Sequence, residues 1–199
     1  MSDLATLRRL SGLSTEPPSL KDSALVMVDL QETYRRGVMR LEGVEPALRE
    51  AAALLARARG AGIPIIHIQH DAGLGSPYDI TAPIGQISAE VAPQGRESVI
   101  TKAYPNAFVG TDLQAQLEAA GVKDVVLAGF MTHMCINSTA RGAFSLGFRP
   151  TVVASTTATR DLPAPDGSVV RAAQLQSASL AALTDLFAVV AGKQTDLPD

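Results

Sequence analysis

Val125-Val126-Leu127-Ala128-Gly129-Phe130-Met131-Thr132-His133-Met134-Cys135 carries the reading of the whole chain. Its first four residues form a short apolar run of the kind that fills a strand buried on both faces. From Ile136 to Leu146 the apolar groups (Ile136, Thr139, Ala140, Ala143, Phe144) recur at helical spacing and stop at Gly147. The only cysteine of the chain, Cys135, therefore sits where a buried strand hands over to a helix. Free amides and the positive end of a helix dipole stabilise a thiolate at such a place, so a lowered pKa is expected for Cys135. The plainer alternative is a small apolar filler, since unpaired cysteines are among the most buried residue types.

Outward from this stretch, strands alternate with helices. Ala24-Leu25-Val26-Met27-Val28 is a first buried strand ending at Asp29, and Ile63 to Ile68 is a second, closing at Gln69-His70. Ser98-Val99-Ile100-Thr101 is a third that ends at Lys102, and Thr151-Val152-Val153-Ala154 follows the cysteine helix as a fifth. Phe187-Ala188-Val189-Val190 adds a sixth at an edge. Helices are expected over Pro46–Arg59 and Thr111–Ala120, the latter with Thr111 as N-cap and Gln114 completing a capping box. A further long or broken helix is expected from about Ser168 to Leu183, after a polar turn over Ser155–Asp161. The pattern predicts an α/β fold: a doubly wound, mostly parallel sheet of about six strands with helices on both faces, three-layered and Rossmann-like. Residues 1–22 read as an N-terminal extension, with a short helix marked by Leu4, Leu7 and Leu10, and residues 23–199 as a single domain. Asp71 to Gly95 holds four glycines and three prolines with little periodicity, and so long a connection reads as a pocket wall or lid.

Composition narrows the function. The chain has 199 residues, 46% of them hydrophobic, and its mean hydropathy of +0.15 fits a packed domain. Seventeen basic residues stand against 20 acidic ones with no basic stripe, which argues against a nucleic-acid partner. One cysteine cannot close an internal disulfide, no apolar run is long enough for a bilayer, and no signal core opens the chain. A cytoplasmic protein without membrane partners is expected.

In open parallel sheets the reactive groups gather at the carboxyl ends of the strands. Asp29, Lys102 and Cys135 each follow a different strand and fall on that one edge. A cysteine nucleophile needs a base, and Asp29 can serve if Lys102 holds it and lowers its pKa by charge pairing. Isolated, an Asp–Lys pair would be an ordinary ion pair. Here both charges abut apolar strands, where burial without a purpose is costly.

These motifs resemble those of the isochorismatase-like cysteine hydrolases: Leu25-Val26-Met27-Val28-Asp29-Leu30-Gln31, Lys102-Ala103-Tyr104-Pro105-Asn106-Ala107-Phe108 and Gly129 to Cys135. The likeness runs from about residue 22 to 190 and includes Thr139-Ala140-Arg141-Gly142-Ala143 and Gly147-Phe148. It implies an Asp29–Lys102–Cys135 triad, a non-proline cis peptide at Phe130–Met131, and an oxyanion hole made by the Met131 and Cys135 amides. The metal-binding nicotinamidase branch of the family carries an Asp-x-His segment after its first aspartate. Here Leu30-Gln31-Glu32-Thr33-Tyr34-Arg35-Arg36 has no histidine, and His67, His70 and His133 lack ligand spacing, so neither metal nor other cofactor is expected.

Cysteine beside Asp and Lys points to cleavage of a C–N bond (amide, lactam, imide or carbamoyl) of a small molecule through a covalent thioester. Two alternatives stand beside it. One is vinyl-ether hydrolysis of the isochorismatase type, in which the aspartate donates a proton and the thiol is dispensable. The other is a non-catalytic small-molecule binder or thiol sensor on the same fold. Gln31, Tyr34, His70, Tyr104, Asn106, Phe108 and His133 are the candidate pocket residues, whereas His67, inside a strand, reads as a core histidine. Finally, Val169, Val170, Leu175, Leu180, Leu183 and Leu186, with Ile80, Ile84, Ile87 and Val91, are more apolar surface than one sheet needs. A homo-oligomer, dimer or tetramer, is expected.

Overall fold

The computed structural model describes residues 4–199; residues 1–3 of the expected N-terminal extension lie outside this range. In chain order the strands are β1 (Ser23–Val28), β2 (Ile65–His70), β3 (Ser98–Lys102), β4 (Asp124–Phe130), β5 (Arg149–Ala158), β6 (Leu162–Pro163), β7 (Val169–Val170) and β8 (Val189–Ala191). Six of them form one sheet in the order β3-β2-β1-β4-β5-β8, parallel throughout. The helices are α1 (Leu7–Leu10), α2 (Val44–Ala61), α3 (Leu113–Ala119), α4 (Asn137–Ser145) and α5 (Ala172–Thr184).

Alternation along each strand feeds two cores. Leu25 and Met27 of β1, with Val126 and Ala128 of β4, pack under Leu48, Ala51, Leu54 and Leu55 of α2. Ala24, Val26 and Val28 face the other way with Val125 and Leu127, onto Leu117 of α3, Ala140 of α4 and Leu183 of α5. The sheet is thus the middle of three layers, as the alternation of elements predicts. The strand order reverses between β1 and β4, and a crevice opens above the carboxyl ends of strands at such a switch point.

Several boundaries differ from the sequence reading. α3 begins at Leu113 after Asp112, with no side-chain cap. The Thr111 hydroxyl instead donates to the Ala107 carbonyl at 2.5 Å, closing the preceding loop, and Gln114 reaches Glu118. α5 starts at Ala172 rather than near Ser168, because Pro165-Asp166-Gly167 turns the chain so that β7 pairs antiparallel with β6. Asp166 secures that turn by accepting from the Ser168 amide at 2.9 Å. The expected polar turn at Ser155 is still strand, since the register of β5 slips against β4 between Leu127 and Gly129 and extends it to Ala158. α4 is preceded by a wide π-type turn, Thr132–Ile136, that contains Cys135.

Gly129, within β4, lets that strand approach β1 closely. Its φ is +128°, and a Cβ there would lie 1.9 Å from the Val28 carbonyl oxygen. Gly129→Ala therefore combines a disfavoured backbone with a backbone clash at the β1–β4 seam. A loss of at least ~2 kcal/mol is expected by urea denaturation, and an unchanged midpoint would refute it.

The apolar residues read as excess surface are distributed differently. Val91 and Leu183 are fully buried in this chain's own cores, Val169 is exposed, and Ile80, Ile84, Ile87, Val170, Leu175, Leu180 and Leu186 are half-buried. The 71–95 connection is pinned rather than loose. The Ser88 amide donates to the Leu30 carbonyl and the Glu32 amide to the Gln86 carbonyl, each at 2.9 Å. Asp79 accepts from the Gly75 and Thr81 amides.

Candidate active site

Asp29 is the first residue past β1 and the only non-glycine with positive φ (+50°) among the described residues. Aspartate tolerates this left-handed region better than most residues, at a cost of about 1–2 kcal/mol. The Asp29 amide donates to the Ile68 carbonyl at 2.9 Å, and the Gln31 amide donates back to the Asp29 carbonyl at 2.8 Å. The carboxylate is thereby turned across the switch point.

Three strands converge on it. Lys102, the last residue of β3, places Nζ 2.7 Å from Asp29 Oδ2 and 3.4 Å from Cys135 Sγ. Asp29, Lys102 and Cys135 are 0%, 2% and 4% exposed, so the contacts are made away from water. The Asp29 carboxylate also acts electrostatically on the Cys135 thiol. The peptide between Phe130 and Met131 is cis, at the position the sequence resemblance implies.

Electrostatics run opposite to expectation. Burial pushes the Cys135 thiol up to about 12, and the Asp29 charge adds to the rise against the lowering effect of Lys102. Asp29 is also raised from the usual carboxylate range, because desolvation outweighs the pull of Lys102. The lowered values inferred from the turn and from charge pairing are therefore corrected: low dielectric disfavours both anions more than one ammonium favours them. The resting site is suited to hold a proton between sulfur and carboxylate rather than a standing thiolate.

The other candidates separate clearly. His70 Nδ1 is 3.1 Å from Lys102 Nζ, and its ring packs edge-on to Tyr78 with centroids 4.9 Å apart. Tyr34 is buried and packs edge-on against both Tyr78 and Phe130, with ring centroids 5.8 and 5.7 Å apart. Gln31 is fully buried and acts as a clamp: Nε2 donates to the His70 and Gly85 carbonyls while Oε1 accepts from the His70 amide. That geometry spends its polar atoms on the backbone and leaves it no direct substrate contact. Tyr104 is 59% exposed on the outer surface. Asn106 caps its own turn by accepting from the Phe108 amide at 3.0 Å, and Phe108 stacks on Phe148, so both serve packing. His133 Nδ1 is 2.6 Å from Thr159 Oγ1, near the site but turned toward β5. His67 is buried with Nε2 2.9 Å from Glu97, a core histidine as expected.

Two residues escaped the sequence reading. Tyr78, the only aromatic in the 71–95 connection, feels the charges of both Asp29 and Cys135. Arg160 follows β5 at the same carboxyl edge and acts electrostatically on Tyr78 and His133, while its buried Nε has no hydrogen-bond partner. The signal for Arg160 was its place after a strand end, the same rule that singled out Asp29, Lys102 and Cys135. Among the described residues no group of three or more His, Cys, Asp or Glu is arranged to hold a metal ion. The Lys102 ammonium already occupies the centre of the acidic site.

The family model of the isochorismatase domain matches residues 23–195. The secreted isochorismatase effector Isc1 of Verticillium dahliae is 33% identical over 92% of this chain and 95% of its own length. Maleamate amidohydrolase of Pseudomonas putida is 36% identical over 65% of this chain and 69% of its own. The crystal structure of an isochorismatase from Pseudomonas putida KT2440 superposes with a TM-score of 0.94 at 38% identity, covering 98% of this chain and 99% of that one. In fold, in motif order and across nearly its whole length, the chain belongs to the isochorismatase family of hydrolases.

Proposed function

We propose that the protein is a metal-independent cysteine hydrolase that cleaves an amide-type C–N bond of a small molecule through a thioester on Cys135. The observation that carries this reading is Lys102 Nζ in simultaneous contact with Asp29 and Cys135 in a buried site. An amide hydrolase among the relatives supports the bond class.

As sulfur attacks the substrate carbonyl carbon, Asp29 takes the thiol proton, so no free thiolate has to form beforehand. Charge forms only as the C–S bond forms, and Lys102 is already beside it. The Met131 and Cys135 amides would receive the oxyanion. Asp29 then returns the proton to the leaving nitrogen and the C–N bond breaks. Water, deprotonated by Asp29, then attacks the thioester carbonyl; the C–S bond breaks, the acid leaves, and Asp29 returns the proton to the Cys135 sulfur. Arg160, with a buried donor left over, suits a substrate that carries an anionic group beyond the scissile amide, as maleamate does.

The test is rapid-quench mass spectrometry over a panel of acidic amides, lactams and carbamoyl compounds, with chelator present throughout. An acyl adduct on Cys135 that forms and decays at the turnover rate is expected. Turnover that dies with chelator and returns with zinc or iron overturns metal independence.

Association of copies is part of the same proposal. Val169 and the half-buried Leu175 and Leu180 of α5 are among the apolar groups this chain leaves incompletely covered. Light scattering is expected to give a mass of at least twice the 20.8 kDa of one chain; a monomer mass refutes it. No helix among the described residues is long and apolar enough to cross a membrane. A single cysteine suits a reducing compartment such as the cytoplasm.

A further inference from the structure

A buried ammonium has three N–H bonds to satisfy, and leaving one without an acceptor is costly. Around Lys102 Nζ stand Asp29 Oδ2 at 2.7 Å, Cys135 Sγ at 3.4 Å and His70 Nδ1 at 3.1 Å. Two of these acceptors belong to the triad; the third does not. We propose that His70 is a positioning residue whose unprotonated Nδ1 is the third acceptor of Lys102, aiming the ammonium at Asp29 and Cys135. By doing so it sets how readily the Cys135 thiol gives up its proton.

Accepting through Nδ1 fixes the neutral tautomer with the hydrogen on Nε2. A protonated ring would bring a second N–H and a like charge against Lys102. The groups facing the ring are Lys102 from β3, Asp29 beyond β1, neighbouring Asp71 and Tyr78 from the 71–95 connection. Burial and Lys102 together hold His70 below its ordinary value, which agrees with a neutral ring.

Position is enforced from two sides. Gln31 binds both backbone polar groups of His70, at 2.9 and 3.0 Å, so the residue cannot slide along β2. Tyr78 packs against the ring and also edge-on against Tyr34, with centroids 5.8 Å apart, and Tyr34 in turn lies on Phe130. An aromatic chain thus runs from the cis peptide through Tyr34 and Tyr78 to the histidine that orients Lys102. The 71–95 connection, through Tyr78, helps to hold the triad as well as to wall the pocket.

The inference rests on the proposed function only in taking Asp29, Lys102 and Cys135 as the reacting groups. Its test needs no substrate: the rate of Cys135 alkylation by iodoacetamide, followed across pH, in His70→Asn and His70→Gln, with thermal melts as the folding control. An Asn oxygen falls where Nδ1 stood, whereas a Gln oxygen falls where Nε2 stood. H70N is expected to alkylate within about three-fold of the parent, and H70Q at least about 10-fold more slowly, with its profile moved to higher pH. A parental or faster H70Q overturns the inference. So does equal impairment of both variants, or loss in H70N with H70Q intact, the pattern of a substrate contact through Nε2. Should H70Q melt far below the parent, H70A removes the acceptor and carries the same expectation. Failure of the amidase reading would appear separately, as turnover retained without the thiol.

Discussion

Cys135→Ala is expected to reduce amide turnover by at least ~100-fold, and to background if no water can replace the nucleophile. The thiol is in contact with the cation and feels the base, and it is the strongest nucleophile of the three groups. Cys135→Ser should fare little better. A hydroxyl holds its proton more tightly than a thiol, and Asp29 must then remove it at a site where burial already disfavours charge. The same substitution separates the three readings of the site. A vinyl-ether hydrolase works by protonation from Asp29 and would keep much of its rate without sulfur. A binder would show no turnover in either form. Activity of the alanine variant within about ten-fold of the parent would remove the thioester from the mechanism.

Asp29→Asn is expected to cost at least ~100-fold as well, for a different reason. Asparagine tolerates the positive φ at this position, so the turn after β1 should survive, and its amide oxygen can still accept from Lys102. What is lost is the proton carrier. Lys102→Ala should match that loss, because it removes the charge that faces sulfur and leaves a buried carboxylate unpaired. Since the three groups touch one another, their effects should not add. The Asp29→Asn, Lys102→Ala double variant should lose little more than the worse single one, and a multiplicative loss in kcat would argue against one shared machine.

Much of this site was legible because its signals are local. A buried parallel strand announces itself as a short apolar run, and the residue after it stands at the edge where such sheets do chemistry. Asp29, Lys102 and Cys135 were found in that way, without knowing which strand neighbours which. Pocket residues chosen only for lying in edge loops fared unevenly. His70 meets Lys102, but Gln31 is consumed by backbone groups and Tyr104 points outward. Loop direction depends on contacts between segments far apart in the chain, which spacing does not encode. Arg160 was passed over although it obeys the strand-end rule, because the reading of β5 stopped at Ala154 and the strand runs to Ala158.

The amino-acid pattern by itself determined the parallel three-layer fold, because strand and helix periodicities and the glycines that stop them act within a few residues. It also determined which side chains would stand at the carboxyl edge. Tertiary structure alone decided the protonation of the site. A helix start and a neighbouring lysine both favour anions, yet Cys135 is pushed up to about 12 once the chain has closed over it. It alone decided that Lys102 would find a third acceptor in His70, and that Tyr78 would arrive from the long connection to hold it. Desolvation and the count of acceptors around a buried ammonium are sums over everything nearby in space, and no stretch of sequence contains that sum.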